Sequence, residues 1–182
     1  MRFTKKSVWM AVSILALAVW GCDGLQDQQS GGKRRPARAP ASAADVKLLE
    51  LAAADWLNTE SPPTLASLRG EVLAVEFWAT WCGPCVAGIP HLNELQAKYR
   101  DRGLRIVGLT DEDRATVETF QKKARSPIEY TVGTGSDLSE KYGIKSIPHA
   151  MLISRGGKVV WKGHPADPEF EEQIEKALEE KQ

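Results

Sequence analysis

Residues 72–103 leave this chain few folds to choose from. Val72-Leu73-Ala74-Val75-Glu76-Phe77-Trp78 is an apolar, β-rich run interrupted by one acid, the pattern of a strand buried on both faces. Trp81-Cys82-Gly83-Pro84-Cys85 follows almost at once. Val86, Ile89, Leu92, Leu95 and Tyr99 then recur at three- and four-residue intervals until Gly103, which predicts a helix with a glycine stop. Cys82 is therefore expected at a helix N-terminus, where unpaired backbone N–H groups and the helix dipole lower a thiol pKa from about 8.5 toward neutrality. Cys85, one turn on, is expected to face inward, where it can attack a mixed disulfide formed on Cys82.

A Cys-x-x-Cys pair also occurs as half of a structural zinc site or as two thiols that only pack. Four zinc ligands would need a second Cys-x-x-Cys or a His-x-x-x-His pair, and the sequence has neither. The strand-turn-helix setting is the one in which such a pair does redox chemistry.

From about residue 62 to 180 the sequence resembles a thioredoxin-fold domain, specifically the membrane-anchored TlpA/ResA type of thiol-disulfide oxidoreductase. Several segments carry the resemblance. Trp81-Cys82-Gly83-Pro84-Cys85 matches the motif of thioredoxins, and Glu76 stands where they keep a buried acid. Pro90 matches the proline that kinks the family's first helix. Lys141-Tyr142-Gly143-Ile144-Lys145-Ser146-Ile147-Pro148 resembles the segment ending in the family's cis-proline, and Arg155-Gly156-Gly157-Lys158 its last hairpin turn. The resemblance implies an α/β thioredoxin fold: a central mixed β-sheet flanked by helices, with an N-terminal addition and a helix-strand insertion.

The remaining elements read as follows. Leu104–Leu109 is a second, parallel strand, which with the first strand and helix makes a right-handed βαβ unit. A helix from about Asp113 to Ala124 and a strand at 128–132 correspond to the insertion that the TlpA type carries. Residues 150–153 and 159–161 flank Arg-Gly-Gly-Lys as an antiparallel hairpin. Asp167 as N-cap, Pro168 at the first helical position and a face of Phe170, Ile174, Ala177 and Leu178 mark the last helix. Within residues 45–69, Asp45 to Trp56 fits either an early helix or a strand leading into a hairpin, and Ser61-Pro62-Pro63 breaks whatever precedes it; the family favours a small addition to the sheet.

Ahead of this domain, assigned to 45–182, Arg2, Lys5 and Lys6 precede a short apolar run from Val8 to Trp20, the form of an export signal over 1–21. The run is shorter than the about 20 residues a spanning helix needs. Gly21-Cys22 resembles the cleavage site of bacterial lipoproteins, which implies a lipid on Cys22 and accounts for the odd thiol among three cysteines. Trp20 departs from that pattern, so an uncleaved anchor and ordinary cleavage stay open. Residues 22–44 are rich in Gln, Gly, Ser, Pro and charge, and read as a disordered tether. With 24 basic and 24 acidic residues the chain lacks the basic excess that nucleic-acid binding wants.

Four side chains besides the cysteines bear on function. Glu76 is either a buried proton-transfer group or an exposed strand residue paired with a lysine; its apolar neighbours favour the first. Pro148, if cis, lies beside the cysteines by family geometry, where it blocks metal binding and presents backbone to a substrate chain; otherwise it is a turn proline. Trp81 fits the substrate-facing rim or the core. His149 replaces the family's usual threonine. It is either an idle surface histidine or a group that tunes the thiols or ligates a metal.

These readings imply an enzyme using Cys82 and Cys85, with Glu76, Pro148 and Trp81 as catalytic-site residues and neither cofactor nor metal. By resemblance its partners are protein disulfides and a membrane electron donor of thiol-transporter type, and its place is the periplasmic side of a bacterial cell envelope, lipid-anchored. A copper chaperone built on the same fold, binding Cu(I) through Cys82, Cys85 and His149, is the alternative.

Overall fold

A computed structural model describes residues 51–180, all within the unit Pro36–Gln182; the signal, Cys22 and the tether lie outside the described residues. Six strands, β1 (Asp55–Leu57), β2 (Val72–Phe77), β3 (Leu104–Leu109), β4 (Thr131–Thr134), β5 (His149–Ile153) and β6 (Val159–Gly163), form one sheet in the order β1-β4-β3-β2-β5-β6. The helices are α1 (Gly83–Tyr99), α2 (Arg114–Lys123), α3 (Leu138–Lys141) and α4 (Pro168–Glu179). The sheet is mixed, since β2 runs parallel to β3 and antiparallel to β5.

The run before the cysteines is the centre of that sheet, and every residue of β2 is buried. Strand alternation sorts its side chains onto two faces. Val72, Ala74 and Trp78 join Ile89 and Leu92 of α1, Val117 of α2 and Phe170 and Ile174 of α4 in one cluster, which also holds both cysteines. Leu73, Val75 and Phe77 join Leu138 of α3 on the other face, with Leu65 and Leu68 packed against it. Each such Val, Leu or Phe contributes about 1.5–3 kcal/mol by leaving water. By the same alternation Glu76 falls on the cysteine face.

α1 begins at Cys82, whose extended backbone (φ −82°, ψ 95°) and sulfur form the cap, and Pro84 occupies the first turn, where no N–H is needed. The helix runs through Pro90 and ends in a 3₁₀ turn, Arg100–Arg102, closed by Gly103 at φ 96°, a value that glycine alone adopts freely. α4 starts as expected: Asp167 accepts the Glu169 N–H at 3.0 Å and Phe170, Ile174, Ala177 and Leu178 are buried. The Tyr99 hydroxyl, 2.7 Å from Glu175, joins α1 to α4.

Of the remaining expectations, one is borne out and one is revised. The N-terminal addition to the sheet is present as a three-residue edge strand, β1, antiparallel to β4. The strand expected at 128–132 is found at Thr131–Thr134. Residues 128–130 lie outside the ladder, and amide side chains of other elements take up their polar backbone groups. Gln121 accepts the Ile128 N–H at 2.7 Å, Asn93 accepts the Glu129 N–H at 3.0 Å, and Asn58 donates to the Ile128 and Tyr130 carbonyls at 2.8 and 2.9 Å. The one-turn helix α3 has no counterpart in the sequence reading, because four residues are too few to show a period.

β4 sits between β1 and β3, and Gly133 is where they crowd. A Cβ there would lie 2.8 Å from Ala53 Cβ, 2.8 Å from Leu109 Cδ2 and 3.0 Å from the Trp56 ring. Gly133→Ala is expected to destabilise the protein by about 1–3 kcal/mol through overpacking, read as a lower denaturation midpoint.

Candidate active site

Cys82 and Cys85 are joined in a disulfide with Cα atoms 5.2 Å apart, at the point where the chain leaves the sheet and enters α1. The Cys82 Sγ accepts the Cys85 backbone N–H at 3.2 Å. That donor, backed by the helix dipole, is aimed where negative charge develops when the disulfide is reduced. Both residues are nearly covered, with 6% exposure for Cys82 and 4% for Cys85. In the disulfide form what separates the two residues is helix position rather than exposure.

The loop before Cys82 is tied down by an acid 32 residues away. Glu112, just past β3, accepts the Thr80 N–H at 2.6 Å with one carboxylate oxygen and the Thr80 hydroxyl at 2.6 Å with the other. Beyond this tie Trp81 is 73% exposed, the only large hydrophobic side chain so open among the described residues. A groove of about 400 Å³ lies between Trp81 and the Ser146-Ile147 stretch, with Phe77, Trp78 and Leu109 in its lining. The Ile147–Pro148 bond at its edge is cis. Trp81 is therefore a surface side chain beside this groove, and its core-packing alternative falls away.

Glu76 is buried, with 3% exposure, and opposite it in the sheet stand Gly108 of β3 and Ala150 of β5. No lysine is near. The partner is instead the Tyr130 hydroxyl, which donates to Oε1. Burial pushes the Glu76 pKa up to about 7, although the hydrogen bond from Tyr130 pulls against that rise. Tyr130 titrates well above a normal tyrosine, first because it is buried and then because of the adjacent Glu76 charge. A carboxyl poised near neutrality, on the cysteine face, is equipped to exchange a proton with a buried thiol.

His149 opens β5 opposite Phe77, half-buried, with an Nε2 that lacks a hydrogen-bond partner. Burial, together with the charges of Lys162 and His164, holds its pKa below the ordinary imidazole value. Among the described residues no three His, Cys, Asp or Glu side chains are grouped to hold a metal ion. Tyr130, Thr80 and Glu112 are the site residues that sequence reasoning missed.

A family model described as Redoxin matches residues 38–178. The chain belongs to the redoxin family. The Thiol-disulfide oxidoreductase ResA of Bacillus thuringiensis subsp. konkukian is 32% identical over 62% of this redoxin, which spans 66% of that relative's own length, under two thirds. The ResA of Halalkalibacterium halodurans is 28% identical over 86% of this chain and 85% of its own. Among solved structures, a Chlorobium tepidum protein provisionally assigned as the thiol:disulfide interchange protein DsbE is 35% identical, with a TM-score of 0.58 over 64% of this chain and 86% of that one. The α/β fold with its mixed sheet and flanking helices is the thioredoxin fold, and within the redoxins the chain is similar to the TlpA/ResA type.

Proposed function

We propose that this redoxin is a protein thiol-disulfide oxidoreductase of the bacterial cell envelope, acting as a reductase and held beside the membrane by its N-terminus. The observation that carries the chemistry is the Cys82–Cys85 disulfide at the first turn of α1, on the sheet face that also bears the buried Glu76. In the reduced protein the Cys82 thiolate attacks a client disulfide. A Cys82–client disulfide forms, and the client's other sulfur leaves as a thiolate and takes a proton from water. Cys85 then passes its proton to the Glu76 carboxylate, directly or through one water, and attacks Cys82 Sγ. The intramolecular disulfide forms, and the second client sulfur leaves as a thiolate and takes the proton held by Glu76. The client gains two electrons from the protein and two protons, one from water and one from Cys85 by way of Glu76. A membrane donor of thiol-transporter type restores the dithiol by the reverse exchange.

The direction rests on the Gly-Pro pair between the cysteines. That is the thioredoxin dipeptide, and thioredoxin lies near about −270 mV whereas the oxidant DsbA lies near about −120 mV. Trp81 and the groove beside Pro148 would receive an extended client segment. The test is reduction of a model protein disulfide by the protein recharged with a small dithiol. Turnover that needs both cysteines supports the reading, and an intact dithiol that leaves the disulfide untouched overturns it.

Anchoring rests on the basic and apolar leader and on Gly21-Cys22. A diacylated Cys22 would hold the protein stably, since each buried CH₂ adds about 0.8 kcal/mol and two chains suffice. Cys22→Ala should move the protein from the membrane to the soluble envelope fraction. A variant that stays on the membrane at the same size points instead to an uncleaved anchor.

A further inference from the structure

The stretch from α2 to β4 sends one side chain into the chemistry. Ile128, Glu129 and Tyr130 are gripped through their backbones by Gln121 of α2, Asn93 of α1 and Asn58 after β1. Held in that way, Tyr130 is 2% exposed and its hydroxyl donates to Glu76 Oε1, 54 residues away in sequence. Gly108, opposite Glu76 on β3, makes the room for this. A Cβ there would meet the Tyr130 ring at 3.1 Å, Glu76 Oε1 at 3.2 Å and Trp78 Nε1 at 3.1 Å.

We propose that Tyr130 is the positioning residue for the Glu76 carboxyl: its hydroxyl fixes Oε1 and so leaves Oε2 as the oxygen that exchanges a proton with Cys85. This deepens the reading of Glu76 as the base for Cys85 and rests on it. The buried titratable groups on that face of the sheet are Tyr130, the two cysteines and, at the far end of α1, Tyr99. β3 and β5 place Gly108 and Ala150 beside Glu76, and α4 packs Phe170, Ile174, Ala177 and Leu178 into the same cluster. His149 pairs with Phe77 and follows the opposite alternation. Tyr130 is therefore the only hydrogen-bond donor recorded to the Glu76 carboxyl among the described residues, and it favours the carboxylate over the neutral acid.

Tyr130→Phe keeps the ring and deletes the hydroxyl. The Glu76 titration, followed by carbon NMR of the labelled carboxyl, should move up from about 7 by roughly one pH unit, as the loss of a hydrogen bond to a charged group implies. In single-turnover reduction of a peptide disulfide, release of the second client thiol should then slow about fivefold at pH 7 and recover at higher pH. The first attack by Cys82 should keep its rate. A titration that stays near 7, or a rate lowered by one factor at every pH, overturns the proposal. A titration that moves while the release profile stays put upholds the Tyr130–Glu76 coupling and overturns Glu76 as the base. Independently of that variant, the Tyr130 ring carbon bearing oxygen should show a step at the Glu76 midpoint in the wild-type protein and lose it in Glu76→Gln. If the step is absent from the wild type, the proposal fails.

Discussion

Cys82→Ser is expected to abolish disulfide reduction, while Cys85→Ser makes the first attack and stops there, accumulating a client joined through Cys82. The asymmetry follows from the helix start. Cys82 caps α1, and its sulfur already accepts the Cys85 N–H, so the charge of its thiolate is met by a fixed donor and the helix dipole. Cys85 lies inside the first turn and has no such cap. In the disulfide form the two residues are covered to nearly the same extent, and the electrostatic setting is what distinguishes them. Cys82 should alkylate much faster than Cys85 in the reduced protein near pH 7, measured by mass spectrometry of quenched samples. Preferential labelling of Cys85, or a trapped client on Cys85 in the Cys82→Ser variant, would reverse the assignment. The trapped partner also identifies the client.

The second large effect belongs to Glu76 and is visible in stability as well as rate. With a folded pKa of about 7 against an ordinary value of 4.5, the native state holds a proton that the unfolded chain has released over that interval. Below pH 4.5 both states are protonated and the difference vanishes. As pH rises toward 7 the unfolded chain ionises first, so the native state loses on the order of 3 kcal/mol, and above 7 the loss levels off. Denaturant titration of the oxidised protein should show that fall, and Glu76→Gln, which has no proton to release, should remove it. The same variant should slow resolution by Cys85 more than the first attack by Cys82, because a glutamine keeps the shape but accepts no proton. An unchanged resolving step with an unchanged pH profile would leave Glu76 a structural residue.

The elements that carry the cysteines were legible because their signals are local. The apolar run of β2, the spacing from Val86 to Tyr99, Gly103 as a left-handed stop and Asp167-Pro168 at the start of α4 each act within a few residues of themselves. What was not legible depends on residues far apart in sequence. Tyr130 looks like an ordinary strand aromatic until it is found against Glu76, and Glu112 like a loop acid until it is found on Thr80. β4 begins later than its composition suggests because three amides from other elements compete for the backbone groups of 128–130. That Glu76 lacks a basic partner was readable; that it has a phenol for one was not.

Those three amides have a consequence for anyone engineering the fold. α2 and the strand after it resemble a cassette, a piece present in some thioredoxin-fold proteins and absent from others. Yet the grip on Ile128, Glu129 and Tyr130 comes from Asn58 and Asn93 as well as from Gln121, so two of the three hands lie outside the piece. Grafting residues 113–134 alone into a simpler relative would carry over the helix and lose the aim of its tyrosine. The transplant would have to include an asparagine on the host's first helix and another near its N-terminal edge, and the four-residue link at 124–127 would have to keep its length.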